Sequence, residues 1–305
     1  MIWIFGTVLV LACAGYLALQ VAIARNGPAV LDTVDRVTGP ETNFKRLETV
    51  RFGKHPSQKL VVIRPEDAPE NVDLPVVVFF HGGSWKDGDP EDYGFVGRGF
   101  ASHGFVTVLA GYRLGEDGKY PAMLEDGASA LAWVHANIAL HDGKPDHIVL
   151  MGHSAGAYNA AMLALDDQWL AESLVPAASI KGVVGLAGPY DFYPFDSDST
   201  KATFGHTAEP QTTQPVNFAR ESAPPFLLIH GEKDTTVKPR NSHALERQLA
   251  EAGAMVEIVT FSDMDHTAPL LQLASPWRGR TDLAERVRQF IANPQTSVPV
   301  QPESR

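Results

Sequence analysis

The 305-residue chain contains a single cysteine, Cys13. One thiol excludes an internal disulfide framework and any all-cysteine zinc site. Positive charge is also in short supply. The chain has 25 Lys and Arg against 36 Asp and Glu, a formal net charge of −11. A protein that grips phosphate backbones carries the opposite sign, so nucleic acid is not an expected partner. Internal repeats and low-complexity tracts are absent. With 44% hydrophobic and 20% charged residues, the composition is globular and excludes a disordered chain, a collagen or a coiled coil. The length admits two domains, but α/β folds of about 200–250 residues or more occur as one unit, so one large domain is expected.

The first 24 residues lack Asp, Glu, Lys and Arg altogether. As a helix, residues 2–24 would reach about 35 Å, enough for a bilayer core of about 30 Å. The expectation is an N-terminal transmembrane helix holding a single-pass protein at a membrane, the bacterial inner membrane. Export after signal cleavage is the alternative, because Ala22 and Ala24 form an Ala-x-Ala pattern before Arg25. No basic residue precedes the apolar run, and the run exceeds the usual 7–15 residues, which argues against cleavage. Cys13 after Val10-Leu11-Ala12 loosely matches a lipoprotein cleavage box. Residues 25–45 read as a mixed polar linker.

Further on, short β-branched apolar runs alternate with helical patterns. Strands are expected over residues 59–63, 76–80, 105–109, 147–151, 180–186, 226–229 and 255–261. Most are apolar on both faces, as parallel strands covered by helices should be. Helices are expected over 121–137, 155–165, 239–253 and 281–293, with Pro121 and Pro239 near starts, Gly253 ending the third and Pro294 just past the last. The alternation predicts a mostly parallel sheet with helices on both faces, the earliest strands pairing antiparallel at one edge. The Pro-rich tail after Asn293 is expected to fray.

The sharpest chemical signal is Gly152-His153-Ser154-Ala155-Gly156, between an expected strand and an expected helix. That context suits a serine on a tight strand-to-helix turn, with small neighbours permitting the turn. The helix start behind it offers free N–H groups and the positive dipole end to a developing anion. His81-Gly82-Gly83-Ser84-Trp85, directly after another strand, is a second signal. Its glycines let N–H groups point into a cavity, as an oxyanion hole needs, so Gly83, Ser84 and Ala155 are the expected donors. A nucleophilic serine needs a base, and the base an orienting acid. Asp234 and His266 follow the strands at 226–229 and 255–261, in the chain order Ser, Asp, His. Both fall at C-terminal strand ends, where α/β sites gather. Of the other histidines, His81 and His153 are expected to support their loops, and His230 to face away from Asp234.

These motifs, with Gly111-Tyr112-Arg113-Leu114, His230-Gly231-x-x-Asp234, and the stretches from Tyr120 to Asn137 and Gly188 to Phe192, resemble the α/β-hydrolase superfamily. The resemblance is to its esterase and lipase branch, similar to hormone-sensitive lipase and to bacterial feruloyl- or acetyl-esterase-like proteins, and covers roughly residues 46–292. It implies an α/β-hydrolase fold of about eight strands and a serine hydrolase of carboxylic esters; short acyl chains are expected because no long apolar lid is evident. Its catalytic residues would be Ser154, Asp234 and His266, with Trp85, His153 and Tyr190 touching a small-molecule ester substrate. No metal or cofactor is implied. Ser84 replaces the third glycine of the common His-Gly-Gly-Gly, and a glycine often found shortly before the catalytic histidine is absent from residues 262–265. An arylformamidase or other amidase, or a non-catalytic binding protein on the same fold, are the rival readings. Arg113 and Asp126 are expected to form a structural ion pair. The aromatic-rich segment 188–224 is expected to be either a cover over the substrate pocket or a surface loop pinned by its own aromatics.

Overall fold

The computed structural model describes residues 2–39, 44–47, 49–68 and 72–295. The strands are β1 (Phe44–Arg46), β2 (Val50–Arg51), β3 (Lys59–Pro65), β4 (Leu74–Phe80), β5 (Val106–Ala110), β6 (Gly143–His153), β7 (Ile180–Leu186), β8 (Phe226–Gly231) and β9 (Val256–Phe261). The helices are α1 (Ile2–Thr38), α2 (Gly94–Ala101), α3 (Ala122–Asn137), α4 (Ala155–Leu165), α5 (Asp167–Glu172), α6 (Asp198–Phe204), α7 (Arg240–Glu251), α8 (Ala268–Leu271) and α9 (Leu283–Ala292). All the strands join one sheet in the order β1-β3-β5-β4-β6-β7-β8-β9, with β2 beside β3. From β5 to β9 every pairing is parallel, whereas β1, β2 and β5 each run antiparallel to β3.

The apolar runs follow from burial on both faces. Val76, Val78 and Phe80 of β4 pack on the side of α3, α4 and α7. Val77 and Phe79 pack on the opposite side, with α2 and α9. Period-two alternation therefore sends successive residues into two cores, and neither can be polar. α4 lies wholly inside, every residue buried. Its Ala-rich face lets it lie close to the sheet. The expected Arg113–Asp126 pair is present at 2.8 Å, and Gln58 also donates to Asp126 at 2.7 Å.

The N-terminal expectation is corrected. Among the described residues no helix is long and apolar enough to cross a membrane. α1 itself runs beyond the apolar stretch, through Arg25, Asp32, Asp35 and Arg36 to Thr38. The expected membrane anchor, membrane partner and single-pass membrane location fall together. Residues 25–38, read as linker, are helical too. The helix breaks at Asn26 (φ −156°, ψ 80°), whose side chain accepts from the Ala29 N–H at 3.1 Å and so caps a second segment, with Pro28 in its first turn. That segment docks on the domain. Asp32 and Asp35 each meet Arg98 at 2.7 Å, and Asp35 also meets Arg278 at 3.1 Å and the Ser275 N–H at 2.7 Å. From residue 296 on, the expected frayed tail lies outside the described residues.

Candidate active site

Three loops leave the C-terminal ends of β6, β8 and β9, and the parallel sheet sets those ends side by side. Ser154 stands between β6 and α4 with φ 53° and ψ −122°, a left-handed conformation that a serine adopts only under constraint. Two contacts hold it there. The Ser154 N–H donates to the Leu186 carbonyl of β7 at 2.8 Å. The flanking glycines close the turn: a Cβ on Gly152 would strike the Gly156 carbonyl, and one on Gly156 the Phe80 carbonyl. The helix therefore starts against the strand end, with the serine hydroxyl forced outward.

His266 Nε2 lies 2.9 Å from Ser154 Oγ, and His266 Nδ1 lies 2.7 Å from Asp234 Oδ2. Asp234 Oδ1 accepts from the N–H groups of Thr236 and Val237, each at 2.9 Å. Burial alone would raise the Asp234 pKa. Hydrogen bonds from His230, His266 and the Val237 N–H outweigh it and hold the carboxyl well below the usual range. The aspartate is therefore ionised, and its bond to Nδ1 leaves Nε2 free to accept the Ser154 proton.

Facing Ser154 is the turn after β4. Gly83, Ser84 and Trp85 all have positive φ, at 124°, 56° and 57°. The position of Ser84, where the pattern this turn resembles has its third glycine, has the backbone geometry that favours glycine, and Ser84 occupies it under strain. The turn is closed by N–H groups of Lys86 and Asp87 donating to the Gly83 carbonyl. Ala155 opens α4, so its N–H belongs to the first turn and has no acceptor within the helix. Ser84, Trp85, Ser154 and Ala155 line a cavity of about 430 Å³; Gly83 is not among its walls.

The remaining walls come from Pro189 to Thr200 on one side and Thr235 to Asn241 on the other. The segment 188–224 is more ordered than a loop, holding α6 and two short 3₁₀ turns. Phe192 and Phe204 from it interlock with Trp85 and Tyr158, the Trp85–Phe204 ring centroids 4.9 Å apart. Trp85 is further fixed by its indole N–H donating to Asn159 Oδ1 at 3.2 Å.

Two expected substrate contacts are displaced. Tyr190 is fully buried, its hydroxyl packed against Gly185 and Gly188 rather than in the cavity. His153 is also buried, because the residue before the elbow serine points back beneath it. Its Nε2 donates to the His266 carbonyl at 2.9 Å, and burial, with His266 nearby, lowers its pKa to about 3. The expectation for His230 is reversed: its Nε2 is 3.2 Å from Asp234 Oδ2. The four-residue spacing of His230 and Asp234 gives no hint of this, because the turn after β8 folds the acid back onto the strand end. Asn241 was also invisible from sequence; its side chain accepts from the N–H groups of Tyr190 and Asp191 and shapes the cavity wall. Among the described residues no group of three or more His, Cys, Asp or Glu is placed to hold a metal ion.

Residues 62–249 match the profile of the BD-FAE family, a stretch that contains the Ser84 turn, the Ser154 elbow and Asp234. The chain belongs to the BD-FAE family. The match stops short of His266, so that residue's placement rests on the geometry. BD-FAE membership agrees with curated relatives. Esterase LipQ of Mycobacterium tuberculosis (strain ATCC 25618 / H37Rv) is 29% identical over 84% of this chain and 64% of its own length. Isoprenylcysteine alpha-carbonyl methylesterase ICME of Arabidopsis thaliana is 28% identical over 77% of this chain and 59% of its own. The chain thus spans about three-fifths of the curated relatives it matches. A solved structure described as a truncated form of carbohydrate esterase from gut microbiota superposes with a TM-score of 0.72 at 19% identity, covering 84% of this chain and 98% of that one. At that identity the likeness shows the shared α/β-hydrolase fold.

Proposed function

We propose that this BD-FAE protein is a serine hydrolase of carboxylic esters with short acyl chains, its hydrolase domain spanning residues 46–292. The observation that carries the reading is the unbroken chain from Ser154 Oγ through His266 to Asp234, at 2.9 and 2.7 Å, with Ser154 in the wall of a cavity. Ser154 Oγ attacks the ester carbonyl carbon and His266 Nε2 takes its proton. The carbonyl oxygen becomes an oxyanion held by the N–H groups of Ala155 and Ser84, both in the cavity wall. As the tetrahedral adduct collapses, His266 returns the proton to the departing alcohol, leaving an acyl-serine. Water, deprotonated by His266, then releases the acid and regenerates Ser154. Asp234 stays ionised and stabilises the imidazolium.

The lining of the cavity supports a short acyl group. Its apolar wall residues are Trp85, Ala155, Pro189, Phe192 and Val237, and Trp85 and Phe192 pack with Tyr158 and Phe204 in one aromatic cluster. Ser197, Ser199, Thr200, Thr235, Thr236 and Asn241 supply hydroxyl and amide groups for a hydrophilic alcohol portion. The test is a panel of chromogenic esters of increasing acyl length with an aryl formamide beside them. Turnover falling as the acyl chain lengthens, and lost in Ser154→Ala, is expected. Faster turnover of the formamide than of any ester, or undiminished turnover in Ser154→Ala, refutes the reading.

A further inference from the structure

The sequence motif His230-Gly231-x-x-Asp234 contributes an acid to the proposed triad, but it also places a second imidazole behind that acid. His230 is wholly buried at the end of β8. Its Nε2 lies 2.8 Å from the Val237 carbonyl and 3.2 Å from Asp234 Oδ2. A carbonyl only accepts, so Nε2 carries a hydrogen, shared between these two oxygens. Nδ1 lies 2.7 Å from Ser242 Oγ, on the first turn of α7. Ser242 is likewise fully buried.

These contacts close a ring. The Val237 N–H donates to Asp234, the Val237 carbonyl accepts from His230, and His230 is held in turn by Ser242. The carboxylate thus receives hydrogen-bond donors on both sides of the His266 bond. The titratable groups facing Asp234 and His230 are His266, from the loop after β9, and His153, from the elbow. α7 presents only the uncharged Ser242 and Asn241, and Lys233 of the same loop is engaged at the surface with Asp263 at 2.8 Å.

We infer that His230, held by Ser242, is a positioning residue that fixes the orientation and basicity of Asp234, and through it the proton affinity of His266. The inference rests on the triad reading above. Removing the His230 donor leaves Asp234 less stabilised and more basic. It then holds the His266 Nδ1 proton harder, and the imidazolium persists to higher pH. The acid limb of the kcat/KM profile therefore moves upward, whereas loosening of the scaffold alone would lower kcat and leave the limb in place.

The experiment compares the pH profiles of the full chain with His230→Leu, His230→Gln and Ser242→Ala on a short-chain ester. His230→Leu is expected to lose about ten- to a hundredfold in kcat, the scale seen when the hydrogen-bond partners that orient metal-ligating side chains are removed. KM should change little, and the acid limb should rise by about half a unit or more. His230→Gln, whose amide can donate from the Nε2 position, restores the limb. Ser242→Ala shifts it less, in the same direction, and adds nothing when combined with His230→Leu. A folded His230→Leu with an unmoved limb overturns the inference. So does a His230→Gln protein as impaired as His230→Leu, and if the leucine variant fails to fold, the glutamine and alanine variants decide on the same readouts. A second readout does not need turnover: the downfield proton resonance of the His266–Asp234 hydrogen bond should change in His230→Leu and return in His230→Gln. A wild-type chain with that resonance but no ester hydrolysis would refute the esterase reading and leave the positioning role standing.

Discussion

Asp35 offers a direct measure of how firmly the N-terminal helix belongs to the domain. Its carboxylate is buried and receives Arg98 Nε, Arg278 Nη2 and the Ser275 N–H. Asp35→Ala leaves Arg98 and Arg278 with only Asp32, which Arg36 also engages at 2.6 Å. Removing one partner from a buried ion cluster costs about 3–5 kcal/mol, because the remaining charge stays desolvated. The structure puts this case at the lower end. Arg98 keeps Asp32 at 2.7 Å, and Arg278 keeps the Leu273 carbonyl at 2.7 and 2.9 Å. A loss of about 3 kcal/mol lowers the melting temperature of a domain this size by about 6–12 °C. Thermal unfolding followed by circular dichroism reads the change directly. The cluster lies under α2, on the face of the sheet opposite α4, so ester turnover at moderate temperature should persist. A melting temperature within about 2 °C of wild type would refute the reasoning, since the carboxylate would then carry no net stabilisation.

Ser154→Ala should remove the hydroxyl while the strained elbow remains, abolishing labelling by a fluorophosphonate and lowering turnover by several orders of magnitude with the melting curve retained. Ser84→Gly keeps the backbone N–H and suits a φ of 56°, so turnover should stay within about threefold; a loss of about a hundredfold would assign the contact with the reacting oxygen to the serine hydroxyl instead. Acid stability carries a further sign. Burial lowers the pKa of His81 to about 4 and of His153 to about 3, so both favour the neutral form in the folded protein. Each contributes stability that is complete above about pH 6.5, where the unfolded imidazole is also neutral. That stability is lost as pH falls toward 4 and 3, by a few kcal/mol each. Melting temperature should fall steadily below about pH 6.5 in a titration, and a flat response from pH 6.5 to 4 would contradict it.

The linear order of residues already separates strand from helix in the hydrolase body. Runs such as Val76 to Phe80 are apolar throughout because they face two cores, and that signal needs no partner to be read. The Gly-x-Ser-x-Gly and His-Gly-Gly motifs are legible for a similar reason: their glycines answer local steric demands within a few residues. α2, α5, α6 and α8 were not legible. They are short, and α2 carries three glycines, so contacts with the sheet or the cavity wall define them more than propensity does.

The N-terminus shows the same boundary from the other side. The polar composition of residues 25–38 reads as linker because it cannot see Arg98 and Arg278, which lie far along the chain and receive Asp32 and Asp35. The orientation of His230 and the burial of His153 and Tyr190 likewise depend on how the turns after β8, β6 and β7 fold against one another. Sequence alone narrowed the candidates for nucleophile, base and acid, since a hydroxyl, an imidazole and a carboxyl are chemical identities. Only the tertiary structure decided which imidazole stands behind the acid and which aromatic rings reach the cavity. Those outcomes depend on directions in space, which residue spacing does not encode.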